Sequence, residues 1–501
     1  MLFSSSLFVF LFLPLVLAIY FALNPPLRNG FLLLASLVFY GWGEPLAIVV
    51  MLLSILANYG FARLVDASAN SGTARPRAIV AVAVVFNLGT LVAFKYADWL
   101  WSVLSSTLLA LGVRSTELAR LSTYVPASSA WHDLLIASNG SIALPVGISF
   151  FTFQAMSYVI DVYRRDAVVR KNPLDVALYV ALFPQLVAGP IVRFRDIAEQ
   201  IAERTIGRSD FALGVRRFVI GLGKKTLIAD TVGAVADSIL VLPMAEIPPA
   251  TAWLAILCYT LQIYFDFSGY SDMAIGLGRM FGFHFLENFR HPYVSTSLTE
   301  FWRRWHISLS TWFRDYLYIP LGGNQRGPAR TYLNLVVVFF LCGLWHGASF
   351  NFVAWGLFHG GFLVLERLGW SRVLERAPRA LGHVYVLLVV MLGWVFFRAS
   401  DLTHAVDWIV ALAGGTAGTP AWHAAVFLDP WVTTMLVAGV LGATPWLELA
   451  LSRVTLWRTR GRLAAWSSAQ VVGHLALLAI LICAILQIAG GTYQPFIYFR
   501  F

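Results

Sequence analysis

The sequence predicts an all-α protein that crosses a membrane several times. Of its 501 residues, 59% are hydrophobic and only 12% are charged, and the mean hydropathy is +0.73. A soluble domain carries about 25% charged residues, so this composition excludes an ordinary soluble fold. Long uncharged runs recur along the whole chain, and helices satisfy their own backbone hydrogen bonds in lipid. We therefore expect one polytopic helical domain over residues 1–501.

The net charge and the cysteines exclude other classes of protein. The formal charge is +10, and the basic residues collect between apolar runs, as in the cytoplasmic loops of membrane proteins. The lipid bilayer is thus the expected partner, and nucleic acid is not. The three cysteines lie far apart in apolar runs and indicate no disulfide framework. The ten histidines are dispersed with no His-x-x-x-His pair, so we expect no metal site.

The apolar runs give the expected membrane segments in order. Residues 7–23 are interpreted as a retained first segment, because no basic stretch precedes them and no small-residue cleavage pattern follows. Several later runs are shorter than the ~20 residues that a helix needs to cross a bilayer, so broken or half-crossing helices are expected. The further runs lie at about 30–42, 46–61, 78–112, 140–163, 172–191, 226–243, 250–277, 331–345, 350–366, 380–397, 431–451 and 470–488.

The basic loops predict the orientation of these segments. Placing them in the cytoplasm puts the N-terminus and residues 490–501 on the periplasmic side. It also makes 172–191 re-entrant, and Pro184 and the pair Gly189-Pro190 supply suitable breaks. The number of crossings in 78–112 stays open. The basic loops lie at 63–77, 164–171, 193–225, 367–379 and 453–462.

His346 is the first candidate catalytic residue. It follows fifteen nearly uncharged residues, which span about 22 Å as a helix, so it is expected inside the membrane profile. Gly343 and Gly347 flank it and allow backbone or a ligand to approach. Neutral imidazole suits a general base for a hydroxyl that attacks a thioester. A hydrogen-bonded packing histidine is the alternative.

His306 lies in the second candidate stretch, 300–315. Trp302, Trp305, Leu309 and Trp312 follow the spacing of one helix face, and Arg303 and His306 are expected on the neighbouring face. An interfacial helix with an aromatic belt explains the tryptophans. Two arginines beside a histidine also suit a phosphorylated, anionic cofactor.

Three further features have mainly structural interpretations. Asp266 and Asp272 lie in a long apolar run and are expected to pair with arginines between helices rather than to react. Cys342 lies one helical turn before His346, but a small buried hydrophobe is favoured over a nucleophile. The aromatic tail 491–501 is an interfacial anchor, or it returns to the centre and presents the Tyr498 hydroxyl as an acyl relay.

Five blocks in this order resemble the membrane-bound O-acyltransferase (MBOAT) family, in particular its branch that O-acetylates bacterial polysaccharides such as alginate. The likeness covers roughly residues 1–400 plus 496–499, and 401–470 is less characteristic. The blocks are 144–153 (LPVGISFFTF), 183–190 (FPQLVAGP), 264–272 (YFDFSGYSD), 300–315 (EFWRRWHISLSTWFRD) and 344–348 (LWHGA).

The resemblance implies a fold and a chemistry. The fold is a ring of roughly 11 tilted transmembrane helices with short and re-entrant helices around a thin core, open through cytoplasmic and periplasmic funnels. The family's catalytic pair maps to His346, as general base, and His306, which orients the thioester or stabilises charge. The expected substrate- and CoA-binding residues are Arg303, Arg304, Trp305 and Arg314. A tyrosine in a similar C-terminal motif serves as relay in teichoic-acid D-alanylation, which favours Tyr498.

The function expected from this resemblance is transfer of acetyl from cytoplasmic acetyl-CoA across the bacterial inner membrane, for O-acetylation of an exported polysaccharide. No cofactor is bound permanently. A periplasmic acetyltransferase partner of the SGNH-hydrolase kind then moves the group to sugar hydroxyls. Peptidoglycan O-acetylation and D-alanylation are alternatives. A transporter or flippase is the non-enzyme alternative, because broken helices and midplane polar groups are typical of transporters.

Overall fold

The computed structural model describes residues 1–72, 75–112, 123, 129, 132–137, 140–187, 189–459 and 463–491. Within these ranges the regular structure is helical, apart from one isolated antiparallel bridge between Ile136 and Ile142. The expected helical body is therefore confirmed. Tyr498 and the rest of the aromatic tail after Gly491 lie outside the described residues.

The first of two compact units comprises residues 1–207 and 281–285. Phenylalanine rings from the two ends of this unit's first stretch form a core: Phe8, Phe39 and Phe183 contact one another with centroids 5.5–6.2 Å apart. Its helices are α1 (Leu13–Ala22), α2 (Pro25–Gly41), α3 (Ala47–Ser71), α4 (Pro76–Leu91), α5 (Ala97–Ala110), α6 (His132–Leu135), α7 (Ile148–Arg164), α8 (Pro173–Ala181), α9 (Phe183–Leu186) and α10 (Phe194–Ala202).

The second unit comprises residues 208–280 and 286–501, and it contains both candidate histidines. Its helices are α11 (Arg208–Gly223), α12 (Asp230–Leu240), α13 (Pro249–Met280), α14 (Leu298–Arg304), α15 (Ile307–Phe313), α16 (Pro328–His346), α17 (Phe350–Leu365), α18 (Ser371–Arg376), α19 (Arg379–Arg398), α20 (Leu402–Leu412), α21 (Pro430–Gly442), α22 (Trp446–Thr459) and α23 (Leu463–Ala489).

The protein is a multi-pass membrane protein. Among the described residues, six helices are long and apolar enough to cross a membrane, and the bent pair α21 and α22 makes a possible seventh. The six are Ala47–Ser71, Pro76–Ala110, Pro249–Met280, Pro328–His346, Arg379–Arg398 and Ser467–Ala489.

The structure shows the local paths of two segments, 76–110 and 172–191. Residues 76–110 form one continuous helical path, in which a π-helical turn, Val92–Tyr96, joins α4 to α5. The expected break in 172–191 is present: the helix is interrupted at Leu182, two residues before Pro184. The freed amide of Phe183 donates to the Ser36 hydroxyl at 3.1 Å, so the buried break has a polar partner.

Charged pairs join α11 and the π-helical turn that follows it to α13. Asp272 accepts from Arg217 and Lys224, each at 2.7 Å, and Asp266 lies 2.8 Å from Lys225. The expected ion pairing of the two aspartates between helices is confirmed, although lysines supply most of the partners. Gly221 and Gly269 let the helix backbones come close enough for these pairs, since a Cβ at either would overlap the facing backbone.

Close packing of α16 on α17 sets the position of His346. A Cβ at Gly343 would collide with the carbonyl of Phe352, and one at Gly356 with the carbonyl of Phe339. A Cβ at Gly347 would collide with the Phe352 ring. Of the two alternatives that the sequence allowed, backbone or a ligand, the two glycines that flank His346 make room for α17. Small residues at such contacts are typical of membrane helix pairs.

Gly356→Ala is expected to destabilise the fold by about 1–3 kcal/mol, because the added methyl group overpacks the α16–α17 contact. Gly361→Ala is the matched control on the same helix, since a Cβ there meets nothing within 4 Å. Thermal unfolding of the purified protein in detergent, followed by tryptophan fluorescence, should show a lower midpoint for Gly356→Ala only. Equal midpoints for the two variants would contradict this packing.

Candidate active site

A break in the helix at 305–306 creates the candidate site. The sequence predicted one continuous amphipathic helix over 300–315, and this prediction is wrong. α14 ends at Arg304, α15 begins at Ile307, and His306 between them has the left-handed backbone conformation (φ 44°). Non-glycine residues in that conformation are strained and concentrate at functional sites. The predicted common face of Arg303 and His306 does not exist, because Arg303 is exposed and His306 is 1% exposed.

The segment 288–290 holds this break from outside the helix. The Asn288 carbonyl accepts from the amide of Ile307 at 2.9 Å, and the Arg304 carbonyl accepts from the amide of Arg290 at 3.0 Å. The Asn288 side chain is fully buried, and its Oδ1 lies 3.2 Å from His306 Nδ1. The same oxygen accepts from the amide of Ser308 at 3.2 Å and from its hydroxyl at 2.9 Å.

The other side of the His306 ring faces aromatic groups. Phe267 of α13 packs edge-on at a centroid distance of 4.6 Å, and Phe289 is at 6.4 Å. His306 Nε2 has no hydrogen-bond partner among the described residues. Burial lowers the pKa of His306 to about 3, because the charged ring would lose its hydration. The imidazole is therefore neutral at physiological pH.

His346 is the last residue of α16 and is 6% exposed. Its ring contacts those of Trp345, Trp355 and Phe397 at centroid distances of 5.0–5.1 Å. The Trp345 ring also contacts His306 at 6.1 Å. One indole thus lies against both candidate histidines, and the structure brings them into a single aromatic cluster.

His359 of α17 is a third buried histidine in this cluster, which the sequence analysis did not single out. It is 0% exposed, and its ring contacts Trp355 at 5.1 Å and Trp302 at 5.2 Å. Tight packing explains its position, since a Cβ at Gly393 would lie 2.5 Å from its Nε2. In the sequence, the only sign of this contact was that His359 follows Trp355 by four residues, which places both on one helix face.

A cavity of about 480 Å³ lies between α14, α15, α16 and the end of α17. This volume falls in the range of small-molecule sites, about 300–1,000 Å³. Three of its lining residues are arginines, so the cavity suits an anion. Its lining comprises Thr299, Trp302, Arg303, Ile307, Ser310, Thr311, Arg314, Tyr318, Leu335, Val338, Phe339, Leu363 and Arg367.

The four residues expected to bind CoA separate into two pairs. Arg303 and Arg314 line the cavity. Arg304 instead forms a 2.8 Å ion pair with Glu300 and donates to the carbonyl of Arg290. Trp305 is buried, stacked 5.6 Å from Phe301. Arg304 is still part of α14 and points to another side of that helix than Arg303, whereas Trp305 lies in the break between α14 and α15.

Arg367 is a cavity residue that sequence reasoning missed. It follows α17, 53 residues after Arg314 in the chain, and was interpreted only as part of a cytoplasmic basic loop. Its guanidinium donates to Asn324 Oδ1 at 3.2 Å, and that oxygen also accepts from the Tyr318 hydroxyl. The loop before α16 is thereby tied to the cavity rim.

Neither His306 nor His346 lines the cavity. Two residues of the cavity wall nevertheless connect it to these histidines. Ile307, on the cavity wall, is the chain neighbour of His306. Trp302, also on the wall, packs 5.7 Å from Trp355, whose other contacts include the ring of His346. The anion cavity and the two imidazoles therefore belong to one continuous assembly of side chains.

Glu366 fixes α14, and with it one wall of the cavity. This carboxylate is 1% exposed. Its oxygens accept from the amide of Leu298 at 2.6 Å and from the amide and hydroxyl of Thr299 at 3.0 and 2.7 Å. A carboxylate at a helix N-terminus satisfies amides that have no partner in the helix and interacts favourably with the helix dipole.

Comparison with known proteins decides the family. A profile of the MBOAT, membrane-bound O-acyltransferase family, matches residues 151–402, about half of the chain. The chain belongs to this family. It is an O-acyltransferase, and the matched range includes α14, α15, α16 and α17 with both histidines and the three cavity arginines.

Relatives of known description extend the likeness over the full length. A probable alginate O-acetylase AlgI of Pseudomonas putida is 39% identical over 521 residues, covering 100% of both chains. The protein of that description from Pseudomonas aeruginosa is 44% identical over 407 residues, which is 81% of this chain and 73% of the relative. The peptidoglycan O-acetyltransferase of Helicobacter pylori is 30% identical over 544 residues, covering 100% of this chain and 98% of the relative.

Glu366→Ala is expected to lower the stability of this O-acyltransferase by about 1–3 kcal/mol, because it leaves buried amides of α14 without an acceptor. Glu375→Ala removes an exposed carboxylate nearby in the chain and serves as the control. Thermal unfolding in detergent should separate the two variants. A Glu366→Ala variant that unfolds at the wild-type temperature would show that the carboxylate does not hold α14.

Proposed function

We propose that this enzyme takes acetyl from cytoplasmic acetyl-CoA and passes it across the bacterial inner membrane, for O-acetylation of an exported polysaccharide of the alginate kind. The observation that carries the proposal is the arginine-lined cavity beside the buried histidine cluster. The arginine-lined cavity suits an anionic, phosphorylated donor, and the buried histidine cluster suits acyl transfer. The full-length likeness to probable alginate O-acetylases supports the choice of acceptor.

The cavity arginines bind the phosphates of the donor. Arg303 and Arg367 have no described carboxylate in ion-pair range, and only Arg314 is paired, with Asp315 at 2.7 Å. Guanidinium groups bind phosphate oxygens through two parallel hydrogen bonds. The charged part of CoA then occupies the cavity, and its thioester end reaches past Ile307 and Trp302 toward His306 and His346.

The two histidines carry the transfer. Both are buried among aromatic rings, where water is excluded and each remaining polar contact is stronger than in solution. One imidazole accepts the proton of the attacking hydroxyl, and donors around the carbonyl stabilise the tetrahedral intermediate. The acceptor is on the periplasmic side, where a partner of the SGNH-hydrolase kind moves the acetyl group to the polymer.

Several finer features stay predictions. These are the single domain, the ring of roughly eleven crossings with two funnels, and the relay through Tyr498. Peptidoglycan O-acetylation is the second candidate function, favoured by the full-length relative of Helicobacter pylori. Assays with defined acceptors distinguish the two candidates. A transporter role predicts no acetyl transfer by the purified protein.

Arg303→Ala and Arg314→Ala are each expected to weaken acetyl-CoA binding about tenfold, or about 1.4 kcal/mol, because each removes a phosphate contact. Arg304→Ala is the matched control, since its guanidinium pairs with Glu300 outside the cavity. It should change Kd by less than about threefold. Isothermal titration of the purified protein measures these values. A loss for Arg304→Ala as large as that for Arg303→Ala would contradict the assignment of the cavity.

His306→Ala and His346→Ala are each expected to lower kcat for acetyl transfer by about 100-fold or more. The double variant should be little worse than either single one, because residues that act as a unit are not additive. His474→Ala, at an exposed position of α23, controls for loss of a histidine. Release of CoA thiol with a soluble acceptor gives the rates. Full activity of both single variants would exclude the pair.

A further inference from the structure

We propose that Glu287 is a positioning residue, whose ion pair with Arg217 holds the segment 287–290 in place against the turn at His306. Neither member of the pair lines the arginine cavity, so the pair acts on the reaction only through the residues that it holds. This inference rests on the proposed acyl transfer and leaves the part of each histidine in that reaction unchanged.

The path of this segment depends on its side chains. Residues 283–289 form neither helix nor strand, so no regular backbone pattern fixes their position. Phe289 packs on Phe267 of α13 at a centroid distance of 5.0 Å. This contact keeps the segment close to α13 but does not set its direction, because hydrophobic attraction is non-directional. A directional contact is needed to set the position of the neighbouring Asn288.

The carboxylate of Glu287 supplies that directional contact. Its Oε1 accepts from Arg217 Nη1 at 3.0 Å, and its Oε2 accepts from Nη2 of the same guanidinium. A bidentate pair of this kind fixes the relative orientation of both groups. Arg217 belongs to α11, and its Nε donates to Asp272 of α13 at 2.8 Å. Residue 287 is therefore anchored to two helices at once.

Asn288 connects this anchor to the candidate site. Its carbonyl accepts from the amide of Ile307 at 2.9 Å. Its side-chain oxygen accepts from the amide of Ser308 and lies 3.2 Å from His306 Nδ1. These contacts hold the left-handed backbone of His306, a conformation that a non-glycine residue keeps only where its surroundings impose it. A shift of Glu287 would therefore move the groups that hold the imidazole.

The structural alternative is that the pair only holds α11 against α13. Asp272 already does so, because it accepts from Lys224 at 2.7 Å as well as from Arg217. The Asp272 side chain is 9% exposed, whereas that of Glu287 is 33% exposed. Without Glu287, Asp272 would still pair with both cations, and the helix contact would be kept. The separate contribution of Glu287 is the link to the segment 287–290.

Glu287→Ala tests the proposal in the purified full-length enzyme, with acetyl-CoA and a soluble hydroxyl acceptor. We expect kcat to fall by about 10- to 100-fold, because a small misplacement of a catalytic group is costly. The Kd of acetyl-CoA should change by less than about threefold, since residue 287 is remote from the phosphate contacts. Glu287→Gln keeps the shape and one acceptor oxygen, so its kcat should lie between those of the wild type and Glu287→Ala.

Two further variants separate positioning from stability. Asp210→Asn breaks an ion pair with Arg279 that also joins α11 to α13, and its kcat should stay within about threefold of the wild type. Asp272→Asn should lower the thermal midpoint in detergent, because it leaves partly buried cations without their shared carboxylate. Glu287→Ala should unfold at the temperature of Asp210→Asn, well above that of Asp272→Asn.

Hydrogen exchange followed by mass spectrometry measures the segment directly. The amides of Arg290, Ile307 and Ser308 bond across the contact between the segment and the turn. In Glu287→Ala they should exchange about tenfold faster than in the wild type, because this contact opens more often. Peptides from α11 and α13 should exchange as in the wild type.

The outcomes distinguish this inference from the function on which it rests. Wild-type kcat or unchanged exchange in Glu287→Ala would overturn the positioning role. An equal loss of kcat in Asp210→Asn would overturn it as well, because a weaker contact between α11 and α13 would then explain both. In these cases an inactive His306→Ala variant leaves the proposed transfer intact. An active His306→Ala variant would remove both the inference and the catalytic role of His306.

Discussion

The contact between Asn288 and the chain at 306–308 is the interaction on which the site depends. Without it, residues 300–315 have the composition and spacing of one amphipathic helix, and His306 would share a face with an exposed arginine. Two backbone hydrogen bonds and the buried amide instead hold the left-handed turn at His306. The turn places the imidazole inside the aromatic cluster and leaves Arg303 at the cavity.

Burial in this cluster strengthens the hydrogen bonds of its polar groups. The rings of Trp302, Trp345 and Trp355 surround the histidines, so water competes little with the few hydrogen bonds that remain. A partly satisfied polar group is costly there, and proteins keep such groups mainly where they serve a function. The positive charges lie at the cavity, on Arg303, Arg314 and Arg367. Donor binding and acyl transfer therefore use different parts of the site.

The sequence predicted the helices and the identity of the central residues, but not how they are oriented. Apolar runs located the long helices because hydropathy is a local property of the chain. The convergence of His306 and His346 followed from the family blocks and agrees with their shared contact to Trp345. The directions of the Trp305 and His306 side chains could not be predicted, because a contact from residue 288 interrupts the helical period after Arg304. Arg304 and Trp305 lie apart from the cavity that Arg303 and Arg314 line.

Arg367 and Asn288 were missed for the same physical reason. Each reaches the site through tertiary packing from another segment, Asn288 from 18 residues before His306 and Arg367 from 53 residues after Arg314, which the spacing within one helix cannot reveal. The sequence allowed backbone or a ligand to approach at the glycines beside His346, and the structure shows that α17 occupies this space.

The most direct test is a cryo-electron microscopy map of the enzyme with a non-hydrolysable acetyl-CoA analogue. The account predicts phosphates at Arg303, Arg314 and Arg367, and the carbonyl carbon of the acyl group beside the imidazoles of His306 and His346. Phosphates bound elsewhere, or an acyl group remote from both imidazoles, would contradict it.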